Sequence, residues 1–372
     1  MPSQLIRSPQ DIADRQIAAW LFICAAVIFG MIILGGVTRL TNSGLSMVEW
    51  KPLMGIIPPL SQADWQILFS KYQQFPEYQK VNLGMTLSEF KPIFMYEYLH
   101  RVLGRFIGIL FVLPFVYFYL TKRIRKGLTP KLLLMLLLGA GQGLLGWYMV
   151  MSGLVDNPRV SQYRLTAHLG NATIIYMVIL WVAFDLVARR DNHQPTHLRS
   201  TANWITALIF VMILSGGLVA GTRAGYVYPT FPLMGDQFFP PELYMLQPAW
   251  LSAFEDLTTI QFNHRIIAYI IVTTISIFTV CALRAGVQGS VRKGVIGMCV
   301  MMGIQVSLGI STLLLHMPVP LAAAHQAGAI VLLSFSLYVT HTLRRAVPKH
   351  DALDNQHSET TVGQHANALK GS

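Results

Sequence analysis

The stretch AAWLFICAAVIFGMIILGGVT, residues 18–38, decides the fold of this chain. It contains no charged residue, and at ~1.5 Å per helical residue it is long enough to cross a hydrocarbon core of ~30 Å. Similar apolar stretches recur along the 372 residues. We predict eight membrane-spanning helices, at 18–38, 101–120, 131–151, 165–187, 203–222, 265–284, 294–315 and 321–342.

The composition is typical of a membrane protein. Hydrophobic residues make up 53% of the chain and charged residues only 12%, whereas a soluble domain carries about 25% charged residues. The net charge of +11 does not indicate nucleic acid, because the basic residues lie in alternate connections between the predicted spans. By the positive-inside rule, both termini are predicted to be cytoplasmic. The basic residues are Lys122, Arg123, Arg125 and Lys126; Arg189, Arg190 and Arg199; Arg284, Arg292 and Lys293; and Arg344, Arg345 and Lys349.

The first apolar run does not have the features of a cleavable signal peptide. It is full length, its flank is acidic at Asp11 and Asp14, and it lacks a small-residue cleavage site. We also recognise no Arg-rich presequence, which favours a bacterial inner membrane over an organelle. Because Cys24, Cys281 and Cys299 fall in or at the edge of predicted spans, we expect no structural disulfide.

The chain repeats its own motifs at about half its length. Four motifs recurring in one order argue against chance similarity between Gly- and Leu-rich helices. We therefore predict an all-α integral membrane protein of two tandem, pseudo-symmetric four-helix bundles, 1–190 and 191–345, followed by a polar tail, 346–372, whose composition is typical of disorder. The repeated motifs are Gly35-Gly36 and Gly216-Gly217, His100-Arg101 and His264-Arg265, Gln142 to Gly146 and Gln305 to Gly309, and Ala167-His168 and Ala324-His325.

Four histidines take matched positions in this repeat: His100 and His168 in the first half, His264 and His325 in the second. Each lies at the start of an even-numbered span, near the predicted outer face. Parallel helices then place each pair at equal depth, which is what a haem iron with two imidazole ligands requires. An interfacial, solvated histidine is the alternative for any one of them. Zinc would need three or four converging ligands, which two isolated pairs do not offer.

Arginines lie close to these histidines in the sequence. Arg101 and Arg265 follow His100 and His264 directly, and Arg39 and Arg223 end the first and fifth spans on the same side. Haem propionates are anions that pair with guanidinium groups. These four arginines are therefore candidate propionate partners, with snorkelling to the membrane interface as the alternative.

The two halves differ at one position beside the first histidine. Glu97 precedes His100 by one helical turn and lies on the same face, whereas Gln261 takes this position before His264. A carboxylate that lies beside just one of the two porphyrins can take up a proton or stabilise positive charge at that site. The first site is therefore predicted to be reactive and the second to hold a cofactor. A capping or interfacial role for Glu97 is the alternative.

The long connection 41–99 contains its own helix signal. Ser61 and Asp64 resemble a capping box, and an apolar stripe follows at helical spacing. We predict an amphipathic helix that packs against the bundle, with a position on the membrane surface or over the first site as the alternative. The stripe consists of Trp65, Leu68, Phe69 and Tyr72.

Over about residues 18–342 the chain resembles the haem A synthase family of proteobacteria and mitochondria. The resemblance implies an enzyme that oxidises the C8 methyl group of haem O to a formyl group by successive hydroxylation, giving haem A for cytochrome c oxidase. It rests on Glu-Tyr-Leu-His-Arg at 97–101, Arg-Leu-Thr-Ala-His at 164–168, Gln-Phe-Asn-His-Arg at 261–265, Ala-His-Gln at 324–326, Glu-Trp-Lys-Pro at 49–52 and Phe-Pro-Leu-Met at 231–234.

The resemblance also implies roles for matching residues. His100 and His168 would hold the substrate haem, Glu97 would be the catalytic carboxylate, and His264 and His325 would hold a haem b that relays electrons. The haem sites would lie near the periplasmic side of the cell inner membrane. Partners would be haem O synthase, cytochrome oxidase assembly factors and an electron donor or acceptor. Some members carry a cysteine pair in the first outer loop, but residues 41–99 contain none, so a thiol redox step does not transfer.

Two other functions compete with this interpretation. A two-haem, bis-histidine electron-transfer cytochrome b, such as a quinol-oxidising subunit, predicts two similar haem b groups and no need for Glu97. A transporter or haem exporter built on parallel repeats predicts a broken helix and charged groups near the midplane. The predicted midplane stretches are apolar, and Asp185 lies near the predicted cytoplasmic end of its span.

Overall fold

The structure, a computed structural model, describes residues 8–49, 57–155, 158–187 and 195–345. All eight predicted membrane helices are confirmed as helices long and apolar enough to span a membrane. They are α1 (Pro9–Leu40), α4 (Leu87–Leu120), α5 (Thr129–Met151), α6 (Gln162–Val187), α7 (Leu198–Thr222), α9 (Leu257–Arg284), α10 (Gly289–Leu314) and α11 (Val319–Arg345). Three short helices lie between them: α2 (Gln62–Tyr72), α3 (Pro76–Lys80) and α8 (Ser252–Glu255).

Two of the membrane helices begin well before their predicted spans. The N-cap of α4 is Thr86, whose backbone N–H donates to the carboxylate of Glu89 at 2.8 Å. The N-cap of α9 is Asp256, whose carboxylate accepts from the backbone N–H of Thr259 at 2.7 Å. Hydropathy detects the apolar part of a helix but not its polar, capped first turns. The prediction that His100 and His264 lie at helix starts is therefore wrong: both lie inside their helices.

The centre of the bundle is formed by the first and last long helices of each half. In the first half these are α1 and α6, and in the second half α7 and α11; α1 packs closely against α6, and α6 against α7. One apolar core runs through both halves and includes Leu21, Ile179, Ile205 and Leu333, all essentially inaccessible to solvent. The division of the chain into two bundles and their pseudo-symmetry both stay predictions.

Polar contacts also join the halves across this core. The hydroxyl groups of Tyr176 and Ser334 lie 2.9 Å apart, and Gln326 donates to the carbonyl of Ile32 at 2.8 Å. The predicted domain boundary at 190–191, the basic residues Arg189 and Arg190, and the tail 346–372 lie outside the described residues.

We call the end of the bundle where α1 and α7 finish the histidine end, and the opposite end the basic end. Two connecting segments lie at the histidine end: the first connects α1 with α4 and contains α2 and α3, and the second runs from 223 to 256 and contains α8. The capping box of Ser61 and Asp64 is confirmed. The apolar stripe of α2 packs against α4, because Trp65 meets Phe94 edge to face at 5.2 Å between ring centroids.

Candidate functional site

The four predicted histidines come together as two pairs, one in each half. The imidazoles of His100 on α4 and His168 on α6 are close enough to interact electrostatically. The same is true of His264 on α9 and His325 on α11. Each of the four residues is partly exposed in the protein alone. Parallel helices thus bring together residues that are far apart in the sequence, as the repeat predicted.

Each histidine ring lies against a glycine of a neighbouring helix. A side chain at three of these glycines would press on the ring, so the backbone itself forms the seat of the imidazole. The glycines belong to the repeated motifs, but the sequence did not predict their contact with the histidines. A Cβ atom would lie 3.0 Å from Cε1 of His100 at Gly35, 3.0 Å from Cε1 of His168 at Gly146, 3.5 Å from Cε1 of His264 at Gly216, and 2.8 Å from Cε1 of His325 at Gly309.

The imidazole nitrogens are sparsely hydrogen bonded. The buried Nδ1 atoms of His100, His168 and His325 lack a hydrogen-bond partner among the described residues. At His264, in contrast, the hydroxyl group of Ser215 lies 3.1 Å from Nδ1. Buried polar atoms are normally paired, so rings of this kind are more typical of ligand sites than of packing. Paired imidazoles that lie against glycine are the kind of residues that would hold a flat macrocycle between two histidine ligands.

A glutamine supports the second histidine of each pair. Gln142 of α5 donates to the backbone carbonyl of His168 at 3.0 Å, and Gln305 of α10 donates to that of His325 at 2.9 Å. Gln142 also lies 3.4 Å from Nε2 of His168. These glutamines are the first residues of the repeated motifs that end in Gly146 and Gly309. Each motif therefore supplies a glycine that contacts a histidine ring and a glutamine that binds the backbone of the same histidine.

The helices beside the two histidine pairs differ in how tightly they close. In the first half, α4 and α5 touch over a short stretch only, whereas α9 and α10 in the second half pack over a longer one. Most of the apolar surface of α5 faces outward. The two helices α4 and α5 beside the first pair are therefore less closely packed on each other than α9 and α10 beside the second pair.

Glu97 is buried beside the first histidine pair, with 3% of its surface exposed. Its Oε2 accepts hydrogen bonds from the hydroxyl of Ser46 at 2.8 Å and the backbone N–H of Met47 at 2.7 Å. Its Oε1 accepts from the guanidinium group of Arg101 at 2.5 Å. Charge-assisted hydrogen bonds of this kind are strong. They fasten the carboxylate between α4 and the first connecting segment.

Gln261 occupies the equivalent position in the second half, but it donates hydrogen bonds where Glu97 accepts them. It is 4% exposed, and its Nε2 donates to the backbone carbonyls of Tyr228 at 3.0 Å and Gly225 at 3.4 Å. Its Oε1 has no partner in the described part of the chain. A glutamate there would place its charge against two carbonyl oxygens. The second connecting segment therefore presents acceptors where the first presents donors.

Arg101 and Arg265 hold the connecting segments on their helices. Arg101 donates to the carbonyl of Met47 at 2.8 Å, and Arg265 donates to those of Tyr228 at 2.9 Å and Thr230 at 2.8 Å. These bonds fasten the segments beside the histidine pairs. A role of the two arginines as propionate partners stays a prediction.

Arg39 at the end of α1 and Arg223 at the end of α7 meet between the two halves. Both donate to the side-chain oxygen of Asn42, at 3.5 Å and 2.6 Å respectively. With Arg159 they line a cavity of about 410 Å³ to which Glu255 also contributes. Sequence reasoning missed Arg159 because it has no counterpart in the repeat. The cavity suits an anionic group, and a propionate role for Arg39 and Arg223 stays a prediction.

Comparison with known proteins gives consistent matches over most of the chain. The model of the COX15-CtaA family, described as a cytochrome oxidase assembly protein, matches residues 18–337. The heme A synthase of Nitrosospira multiformis is 54% identical over 336 residues, which cover 89% of this chain and 94% of that protein. The heme A synthase of Nitrosomonas eutropha is 52% identical over 346 residues, covering 90% and 97%. Human heme A synthase COX15 is 42% identical over 351 residues, covering 92% and 85%.

Proposed function

The chain belongs to the COX15-CtaA family of cytochrome oxidase assembly proteins, and on this premise we propose that it is a haem A synthase. The observation that carries the proposal is the pair of similar histidine sites, of which only one, among the residues that the structure describes, has a buried carboxylate beside it. A protein that only passes electrons between two haems needs no such difference. The cytochrome b alternative finds no support in the relatives named above.

The reaction that we propose is the oxidation of the C8 methyl group of haem O to a formyl group. The methyl carbon loses electrons and protons in two successive oxidations, and water adds after each one. The resulting hydrate loses water to give the aldehyde of haem A. The electrons leave through the redox partner, and the protons must be taken up by groups beside the methyl carbon.

We propose that His100 and His168 hold the substrate haem. Two imidazole ligands leave the iron without an open position for dioxygen, so the chemistry takes place at the edge of the macrocycle. The short contact between α4 and α5 offers a route by which a large apolar substrate enters and leaves sideways.

Glu97 is the proposed catalytic carboxylate. A carboxylate has about four acceptor positions, and Ser46, Met47 and Arg101 occupy three of them. The remaining position can accept a proton from the methyl carbon, and the negative charge can stabilise a cationic carbon. The fixed donors keep the group in place, so no reorganisation is needed during the reaction.

His264 and His325 are the proposed ligands of a haem b cofactor. When bound, haem b supplies one-electron redox chemistry. Gln261 is neutral and donates to carbonyl groups, so this half has no proton acceptor at the position of Glu97. The closer packing of α9 and α10 suits a cofactor that stays bound.

The eight apolar helices make the chain a multi-pass membrane protein. We propose the cell inner membrane, with both termini cytoplasmic and the haem sites near the periplasm. Arg123, Arg125 and Arg284 at the basic end support this orientation. Proposed partners are haem O synthase, oxidase assembly factors and an electron acceptor or donor.

Acid extraction of the haems from purified protein, followed by chromatography and mass analysis, tests this function. We expect haem B together with haem O, haem A or a hydroxylated intermediate. Two equivalents of haem B per chain, with no other haem, would overturn the proposal and favour the electron-transfer cytochrome.

A further inference from the structure

A third residue distinguishes the glutamines beside the two histidine pairs. In the first half, Asn171 follows His168 by about one turn of α6. Its side-chain amide donates to Oε1 of Gln142 at 2.8 Å and to the backbone carbonyl of Leu138 at 3.3 Å. We call Asn171 and Gln142 the amide pair. It connects α6 with α5 directly beside the second histidine of the first pair.

Backbone carbonyl groups fix the orientation of both amides. A carbonyl oxygen can only accept a hydrogen bond, so the NH₂ group of Asn171 must face the carbonyl of Leu138. For the same reason, the NH₂ group of Gln142 must face the carbonyl of His168, at 3.0 Å. Oε1 of Gln142 is then the atom that accepts from Asn171. Exchanging oxygen and nitrogen in either amide would set two oxygen atoms against each other.

The fixed amide of Gln142 also determines which nitrogen of the His168 ring is protonated. The amide nitrogen lies 3.4 Å from Nε2 of that ring, where its second N–H can donate. A ring nitrogen that faces a donor supplies its lone pair, so the proton of the neutral imidazole lies on Nδ1. Nε2 is then the nitrogen that can bind a metal ion. The amide pair therefore favours the form of the ring that iron requires, while an N–H of Gln142 points to the same lone pair.

The second half has the same glutamine without the asparagine. Gly328 takes the position three residues after His325, and a Cβ atom there would lie 2.2 Å from Oε1 of Gln305. This oxygen is buried and has no hydrogen-bond partner among the described residues. Gln305 donates to the backbone carbonyl of His325 at 2.9 Å, but within the described ranges it makes no hydrogen bond with the ring. The second pair thus has the backbone hydrogen bond and lacks the donor at the ring nitrogen.

This difference matches the different tasks of the two sites under the proposed function. The first pair must bind haem O and release haem A in every turnover, whereas the second keeps its haem b. A donor that faces the lone pair of Nε2 has to be displaced before iron binds there. The free energy of that hydrogen bond is therefore subtracted from the affinity of the site for haem. A weaker hold suits a substrate site and not a cofactor site.

We propose that Gln142, oriented by Asn171, is a positioning residue that competes with haem iron for Nε2 of His168 and so makes the first pair a site of haem exchange. This inference rests on the proposed assignment of the substrate haem to the first pair. When the product leaves, the bond between iron and Nε2 breaks, and an N–H of Gln142 donates to the same lone pair. No proton and no electron is transferred in this step.

The variant Gln142→Met tests the proposal in the full-length, haem-loaded protein, because methionine has a similar length and no N–H group. We expect haem A to dissociate roughly fivefold more slowly, the effect of one net hydrogen bond between neutral groups. The protein is incubated for timed intervals with an excess of a haem-scavenging apoprotein, and extraction with mass analysis then measures each haem that stays bound. A purely structural role of Gln142 has the opposite sign, since a loosened site loses its haem faster.

The matched control is Gln305→Met in the second half. It removes the same kind of hydrogen bond to a histidine carbonyl, but no donor at a ring nitrogen. We therefore expect no slower dissociation of haem b from this variant. Slower loss of haem b there, by the same factor as for haem A in Gln142→Met, would overturn the inference, because the backbone hydrogen bond alone would explain both effects.

A second variant keeps the test decisive if Gln142→Met fails to bind haem. Asn171→Ala leaves Gln142 in place but releases its Oε1, as Gly328 does for Gln305, and we expect haem A to dissociate more slowly from it as well. Parental or faster dissociation of haem A in both variants would overturn the inference and leave the proposed function intact. Failure of the proposed function is distinct: the parent protein would then contain haem B alone.

Discussion

In both halves an imidazole pair lies on glycine backbone, and an arginine after the first histidine fastens a connecting segment to the helix. The halves differ beside that scaffold. Glu97 accepts three hydrogen bonds from donors around it, whereas Gln261 donates to two carbonyl groups. Glu97 has a carboxylate oxygen where Gln261 has an NH₂ group. Accordingly, the first connecting segment offers hydrogen-bond donors at this position and the second offers acceptors. The comparison teaches that the two sites differ in the polar groups near the histidines and not in the histidines themselves, and this difference is what the proposed roles of a reactive site and a cofactor site depend on.

The connecting segments show the same contrast on a larger scale. In the first, Phe69, Tyr72, Phe90 and Phe94 form a buried aromatic cluster that joins α2 to α4. In the second, Phe239, Met245 and Trp250 are exposed. The first segment can exclude water around a carboxylate, and exclusion of water strengthens electrostatic interactions within the site.

The largest expected effect separates the two histidine pairs. We expect His168→Ala to lose the substrate haem and keep haem b, and His325→Ala to do the reverse, because each variant removes one axial ligand. Haem extraction with mass analysis measures the equivalents of each haem per chain. His316→Asn, which changes a histidine outside both pairs, is the control and should keep both haems. Loss of the same haem from both ligand variants would contradict the separation of the pairs.

The next effect concerns the single chemical difference beside the pairs. We expect Glu97→Gln to bind haem O but to form haem A at least about 100-fold more slowly, because it removes the proton acceptor. The reverse variant, Gln261→Glu, should keep its activity and lose roughly 1–3 kcal/mol of stability, since its charge would face carbonyl oxygens. Single-turnover conversion and thermal unfolding measure the two outcomes. A parental rate for Glu97→Gln would remove the distinction between the halves.

A smaller effect is the pH dependence of stability that Glu77 causes. Its pKa rises from 4.5 to about 7 on folding, so the folded protein holds the proton more tightly than the unfolded chain. The stabilising contribution of Glu77 is therefore complete below about pH 4.5 and decreases as the pH rises towards 7, by up to about 3 kcal/mol. We expect Glu77→Gln to unfold at a higher temperature than the parent at pH 8 but not at pH 4.5. An equal difference at both pH values would contradict the burial of an ionisable Glu77, and Glu242→Gln should show no difference.

The smallest effect compares two glycine seats. At Gly309 a Cβ would lie 2.8 Å from His325, and at Gly216 it would lie 3.5 Å from His264. Gly309→Ala must shift the imidazole, at a cost of roughly 1–3 kcal/mol. Gly216→Ala makes an ordinary contact and gains up to about 1 kcal/mol of helix propensity. Thermal unfolding and the Soret spectrum should distinguish them, and equal behaviour would show that the seats do not orient the rings.

Much of the fold was predictable because its signals are local. A span such as 18–38 is recognised from its apolar composition, and the capping box at Ser61 from the spacing of two residues. The beginning of α4 at Leu87 was not predictable from hydropathy, since its first turns mix charged residues with Phe90 and Phe94, which pack against α2. The contact of Gly35 with His100 was also missed, because the repeat shows that a glycine recurs but not what it touches.

The sequence by itself determined the eight membrane helices, the matched positions of four histidines and the difference between Glu97 and Gln261. These features follow from composition, spacing and residue identity, which act along the chain. Only the tertiary structure decided that Arg39 and Arg223 share one cavity, that three donors surround Glu97 and that Glu77 is buried. Burial, charge environment and convergence depend on segments far apart in the chain, and the packing of helices sets them.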